Sequence, residues 1–94
     1  MYTLIKSSQF KKDLKRVFKR SVSDFEEAAK VLHLLENKGY KGVPQEMKPH
    51  RLKSKYEGDW ECHIKPDLLI IWFQIETPKT IKLIRIGSHS DLFK

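Results

Sequence analysis

Four histidines occur in the 94 residues, and three of them, His50, His63 and His89, fall in the second half of the chain beside Asp67 and Arg85. Imidazole, with an unperturbed pKa near ~6.5, serves as acid or base at neutral pH. A guanidinium matches phosphoryl oxygens in charge and geometry, and a carboxylate can orient an imidazole or join in proton transfer. This set suits metal-free RNA cleavage, in which the ribose 2′-hydroxyl attacks the adjacent phosphorus. The substrate then brings its own nucleophile, and the protein supplies a base, an acid and a cation. Two other readings stand beside it: a zinc site of three imidazoles and a carboxylate, and a scatter of surface histidines. The spacings match no helix-face or knuckle pattern for zinc.

Other groups are set aside. His33 lies between Leu32 and Leu34 and is read as structural or exposed. Cys62 is read as core, because neighbouring side chains in a strand point to opposite faces and it cannot join His63. The chain has no P-loop, GxGxxG, HExxH, CxxC or EF-hand pattern. Arg85 lies between Ile84 and Ile86, a costly place for a permanent charge unless it meets an anion or a carboxylate.

These groups need elements to hold them. Tyr2 to Lys6 reads as a short strand. Ser7 or Ser8 caps a helix with Phe10, Leu14, Val17 and Phe18 on one face. A second helix is expected from Ser23, whose spacing to Glu26 makes a capping box. Its apolar stripe is Phe25, Ala28, Ala29, Leu32 and Leu35, and Gly39 closes it. Residues 40 to 49 read as a loop. From Glu57 the period becomes two, with Trp60, Cys62 and Ile64 on one face and Asp59, Glu61 and His63 on the other. Leu68 to Ile75 reads as a central strand, Thr80 to Gly87 as another, and Ser88 to Lys94 as a short tail. The expected fold is α+β in the order β-α-α-β-β-β, a helical hairpin packed on a small antiparallel sheet. The length suits one domain over 1–94.

Charge narrows the choice of partners. Nineteen Lys and Arg against twelve Asp and Glu leave +7, unevenly placed. One block runs from Lys6 through Lys11, Lys12, Lys15, Arg16, Lys19 and Arg20. A second spans Lys38, Lys41, Lys48, Arg51, Lys53, Lys55 and Lys65, with an acidic helix between. Two positive blocks on so small a chain point to nucleic acid or an acidic protein. A single cysteine excludes an internal disulfide and fits a reducing compartment. The longest apolar run, Leu68 to Phe73, is far below the ~20 residues of a membrane span, and no signal-peptide pattern precedes Lys6. A soluble cytoplasmic protein is expected.

Several of these stretches resemble one family. His50-Arg51-Leu52, Glu61-Cys62-His63-Ile64-Lys65-Pro66-Asp67, Arg85-Ile86-Gly87-Ser88-His89 and Leu92-Phe93 are similar to the YafQ branch of the RelE/ParE toxin superfamily. The likeness extends over nearly the whole chain, although Leu68 stands where several relatives carry Trp. It implies the toxin of a type II toxin–antitoxin system, a ribosome-dependent mRNA endoribonuclease needing no cofactor. It further implies a catalytic group of His50, His63, Asp67 and His89, with Arg85 on the scissile phosphate. Phe93 would hold the substrate base and Glu61 would orient an imidazole. Lys11, Lys12, Lys15, Arg16, Lys19 and Arg20 would then lie against ribosomal 16S RNA. The implied partners are mRNA, the ribosome and an acidic antitoxin, the toxin being a monomer when free and a hetero-oligomer with its antitoxin. A ParE-like gyrase inhibitor and a plain RNA-binding module remain as alternatives.

Overall fold

A computed structural model of the chain describes residues 1–93; Lys94, the end of the expected tail, lies outside the described residues. Strand β1 (Thr3–Lys6) leads into helix α1 (Ser8–Arg20), whose first turn is capped by Ser7 accepting from the Phe10 amide at 3.0 Å. Helix α2 (Val22–Lys38) begins at once. Ser21 donates its amide to Val17 O, closing α1, and its hydroxyl accepts from the Asp24 amide, opening α2. One residue thus caps two helices, and the expected Ser23 box is displaced because the chain turns two residues earlier. Gly39 ends α2 at φ +62°, as its position suggested.

Two helix-face assignments are corrected. Ala29 is exposed, and Val31 joins Ala28 and Leu35 in the buried stripe. Phe18 is half exposed and meets Phe25 edge-on at 5.1 Å across the hairpin instead of entering the core. Its place on the buried face of α1 is taken by Asp13, which has no solvent exposure.

The remaining strands are β2 (His50–Arg51), β3 (Trp60–Lys65), β4 (Leu68–Glu76) and β5 (Lys79–Gly87), in sheet order β1-β5-β4-β3-β2. The α+β class and the helical hairpin are as expected. The sheet is mixed, not wholly antiparallel, because β5, the last strand, lies in parallel beside β1, the first. The two-residue β2 directly follows the stretch read as loop, at residues for which no element was expected. Short three-residue turns at Gln45–Met47 and Ser54–Tyr56 flank it. The tail is also structured: α3 (His89–Leu92) carries a capping box between Ser88 and Asp91.

The sheet has two covered faces. Cys62, Ile64, Ile70, Trp72, Ile81, Leu83 and Ile86 meet Phe10, Val17, Ala28, Val31 and Leu35 of the hairpin. On the opposite face Leu69 and Ile71 are buried under Leu92 of α3, with Leu52, Tyr56 and Phe93 at the margin. This explains why β4 is apolar along most of its length. Among the described residues no helix is long and apolar enough to cross a membrane.

Candidate active site

Sheet register decides which polar groups share a face. His50, Glu61, Ile71 and Arg85 form one rung across β2, β3, β4 and β5, and His63, Leu69 and Gly87 form the next rung on the same side. Residues opposite one another in a ladder point the same way. The face turned away from the helical hairpin therefore carries two imidazoles, a carboxylate and a guanidinium around an apolar floor. Neighbouring strands lie ~4.8 Å apart, which puts the backbones of Glu61 and Arg85 about 10 Å from each other.

The imidazoles gather at Glu61. Its Oε1 lies 3.2 Å from His50 Nε2 and 3.8 Å from His63 Nε2, and the two rings face each other at 6.3 Å. Glu61 was expected on the polar face of its strand, but it is only 4% exposed. His50 (45%) and His63 (33%) stay open to solvent. The Nδ1 of His50 is 2.7 Å from Lys48 O. That carbonyl fixes the ring by accepting from Nδ1–H, so Nε2 donates to the carboxylate only when the ring is protonated. Glu61 Oε2 is buried with no hydrogen-bond partner among the described residues.

Asp67 and His89 meet at the end of the same face. Asp67, in the β3–β4 turn, accepts from the His89 amide at 2.9 Å and pins the start of α3. The His89 ring lies 5.0 Å from Phe93, and Phe93 meets Tyr56 edge-on at 5.8 Å. The structure thus forms a His50–Glu61–His63 group and an Asp67–His89–Phe93 group, both on one face.

Arg85 is held from behind. A bulge in the β4–β5 ladder skips Ile84, and the guanidinium reaches over the β5 edge to Asp13 of α1. Nε donates at 2.7 Å and one terminal nitrogen at 3.2 Å, leaving the other terminal nitrogen free of Asp13. The carboxylate hydrogen bond, against the opposing effect of burial, raises the Arg85 pKa further above its ordinary value, with Tyr56 adding to it. The carboxylate alternative anticipated for this residue is the observed one.

Asp13 reflects what β1 leaves undone. β1 pairs with β5 only through Leu83. Past that point Ser7 donates its amide to Leu83 O and its hydroxyl to Ile84 O, and Asp13 accepts from the Ile86 amide at 3.1 Å. Arg16 also donates to Asp13, at 3.1 Å, and lies 3.7 Å from Asp91 of α3, which accepts from Arg20 at 2.9 Å. Burial works to raise the Asp91 pKa, but the Ser88 amide and hydroxyl, Arg20 and Arg16 outweigh it and bring it down to about 2. Arg16 and Arg20 are therefore occupied within the fold. Lys11, Lys12, Lys15 and Lys19 are exposed and make no ion pair among the described residues.

Sequence reasoning missed Asp13, Tyr56 and Asp91. Asp13 had a signal: it stands three residues after Phe10 and four before Val17, on the apolar face of a basic helix. Cys62 is buried against the hairpin, where burial first and Glu61 second push its thiol up to about 12. His33 is exposed, its Nε2 3.1 Å from Asn37. Among the described residues no three His, Cys, Asp or Glu side chains are disposed to hold a metal ion.

Comparison with known proteins shows the family to which this fold belongs. Residues 2–94 match the family described as the bacterial toxin of type II toxin–antitoxin system, YafQ. The mRNA interferase toxin YafQ of Escherichia coli (strain B / BL21-DE3) is 33% identical over 87 residues, 93% of this chain and 90% of that protein. The crystal structure of YafQ from the same strain superposes with a TM-score of 0.88 at 29% identity, covering 100% of each chain. YafQ in the crystal structure of the E. coli DinJ–YafQ toxin–antitoxin complex superposes at 0.85 and 28% identity, over 99% of this chain and 98% of that one.

Proposed function

The chain belongs to the YafQ family of type II toxins, and from that premise we propose that it is an mRNA interferase whose catalytic face is the one just described. The observation that carries this reading is the convergence of His50 and His63 on one oxygen of Glu61, on the same face as His89 and Arg85. Glu61 accepts from the N–H of one imidazole and so orients it, and the 2′-proton goes to whichever of His50, His63 and Asp67 keeps its basic atom free of that donation. The 2′-oxygen bonds to phosphorus, the bond from phosphorus to the 5′-oxygen breaks, and His89 delivers a proton to the departing oxygen. The products are a 2′,3′-cyclic phosphate and a 5′-hydroxyl. The terminal nitrogen of Arg85 that does not reach Asp13 meets the negative charge that builds on the phosphoryl oxygens, while Asp13 holds the guanidinium in place beside Tyr56. Phe93, steadied by Tyr56, offers a ring for a base beside the scissile bond.

Cleavage on the ribosome fits the exposed lysines of α1. Lys11, Lys12, Lys15 and Lys19 act as phosphate contacts that position the chain without reading sequence. Arg16 and Arg20 contribute by bracing α3. The cognate antitoxin covers this basic surface with an acidic segment.

The test is cleavage of a translated message by wild type and by His89→Gln, with the ends of the products analysed. His89→Gln is expected to lose about 10²–10⁴-fold in rate with an unchanged circular dichroism spectrum. A wild-type rate, or cutting at a position whose ribose carries no 2′-hydroxyl, overturns the mechanism.

A further inference from the structure

The second positive block, Lys38 to Lys65, has no part in the chemistry above. Some of it lines a cleft of ≈ 730 Å³ on the other side of the sheet, between the end of α2, β2 and the hairpin joining β4 to β5. Lys38, Lys41, Arg51 and Lys79 surround it, against one carboxylate, Glu76. That carboxylate is already engaged, accepting from Tyr2 Oη and Gln74 Nε2, each at 2.8 Å. None of the four cations makes an ion pair among the described residues. Two sit instead on aromatic faces, Arg51 5.5 Å from the Trp60 centroid and Lys79 5.4 Å from Tyr2. A cation placed on a ring keeps its N–H donors for an anion, whereas one paired with a carboxylate does not.

The wall behind these cations is stiff. Trp60 stacks on Tyr40 at 4.1 Å and lies nearly parallel to Trp72 at 6.4 Å. Gln74 ties the wall together, accepting from the Tyr40 amide and the Trp72 indole.

β2 connects this cleft to the catalytic face. Among the described residues it pairs only with β3, so its outer edge carries no further strand. Its two residues point opposite ways, His50 across from Glu61 and Arg51 across from Trp60. A chain passing over that edge leaves the imidazoles and arrives at Arg51 within one residue of protein. We infer that the cleft binds the phosphodiester backbone of single-stranded RNA flanking the bond to be cut. The inference rests on the nuclease reading for its ligand, and the experiment separates the two.

The probe is a 2′-O-methyl octanucleotide, which has no free 2′-hydroxyl and cannot be cut, titrated onto the full chain and followed by amide and Trp indole NMR shifts. A 2′-O-methyl dinucleotide and inorganic phosphate are run beside it. The octanucleotide is expected to move Trp60, Lys38 and Lys41 together with Glu61 and His63. In Lys38→Gln/Lys41→Gln its affinity should fall less steeply with salt, the slope dropping by about 1.4, since each single-strand phosphate contact contributes ~0.7. Shifts in the cleft without shifts at Glu61 and His63 support the cleft as an RNA site while overturning the catalytic face. Shifts confined to the catalytic face, or an unchanged salt slope, overturn the inference. Equal shifts with inorganic phosphate at the same concentration reduce the cleft to an adventitious anion site and overturn it too.

Discussion

Replacing Asp13 by Asn tests the idea that one buried carboxylate holds the β5 edge, the candidate phosphate ligand and the C-terminal helix together. The side chain keeps its shape and loses its charge. Asp13 accepts from Arg85 twice, and from Arg16, Gln9 and the Ile86 amide. Oδ2 receives Arg85 Nε and Ile86 N, and Oδ1 receives the other three. An amide can satisfy only one of these sides, because its NH₂ turns a donor toward donors on the other. Removing one partner of a buried ion pair costs ~3–5 kcal/mol. The side chains of Arg85 and Arg16 keep 18% and 36% exposure and can partly rehydrate, so the low end, about 3 kcal/mol, applies. For a domain of this size that is a fall in Tm of roughly 12–24 °C, read by circular dichroism. The double variant Asp13→Asn/Arg85→Gln should cost less than the sum of the two single changes, because the guanidinium is no longer left unpaired. A single variant melting within roughly 4 °C of wild type, or strict additivity, would refute the reasoning.

Three further outcomes follow from the geometry. Asp91 titrates near 2 instead of 3.8; a depressed carboxylate stabilises the fold above the ordinary value and loses that contribution as pH falls through its own. About 2 kcal/mol should therefore disappear between roughly pH 4 and 2 in wild type, and Asp91→Asn should lack that part of the acid limb in a Tm–pH series. Cys62, with its thiol pushed up to about 12 inside the core, should resist iodoacetamide at pH 8 until the chain is unfolded; labelling at the rate of a free thiol would show the strand face to be open. At Gly39, φ is +62° and an added Cβ would meet the Gln74 side chain at 2.7 Å. Gly39→Ala should cost about 1–3 kcal/mol in urea unfolding, and a neutral result would mean that α2 ends differently.

The local features of this chain were legible one residue at a time. The hairpin, the end of α2 at Gly39, the apolar β4 and the buried Cys62 follow from period, capping and composition, which depend on neighbours close in sequence. So did the inventory of His50, His63, Asp67, Arg85 and His89, because their side-chain chemistry is a property of residue type. The position of the α2 cap was legible only to within two residues, since Ser21 and Ser23 both suit the role and the turn between helices chose between them.

What lay beyond the sequence was every relation between residues far apart along it. Whether Glu61 faced solvent or lay under two imidazoles depended on β2, a strand too short to show a period and visible only once it pairs with β3. Whether Arg85 met a carboxylate within the fold depended on β1 stopping at Leu83 and leaving a stretch of β5 edge for Asp13 to satisfy. Side-chain types state which interactions are possible, but burial and strand register select among them, because both arise only when distant segments exclude water from one another.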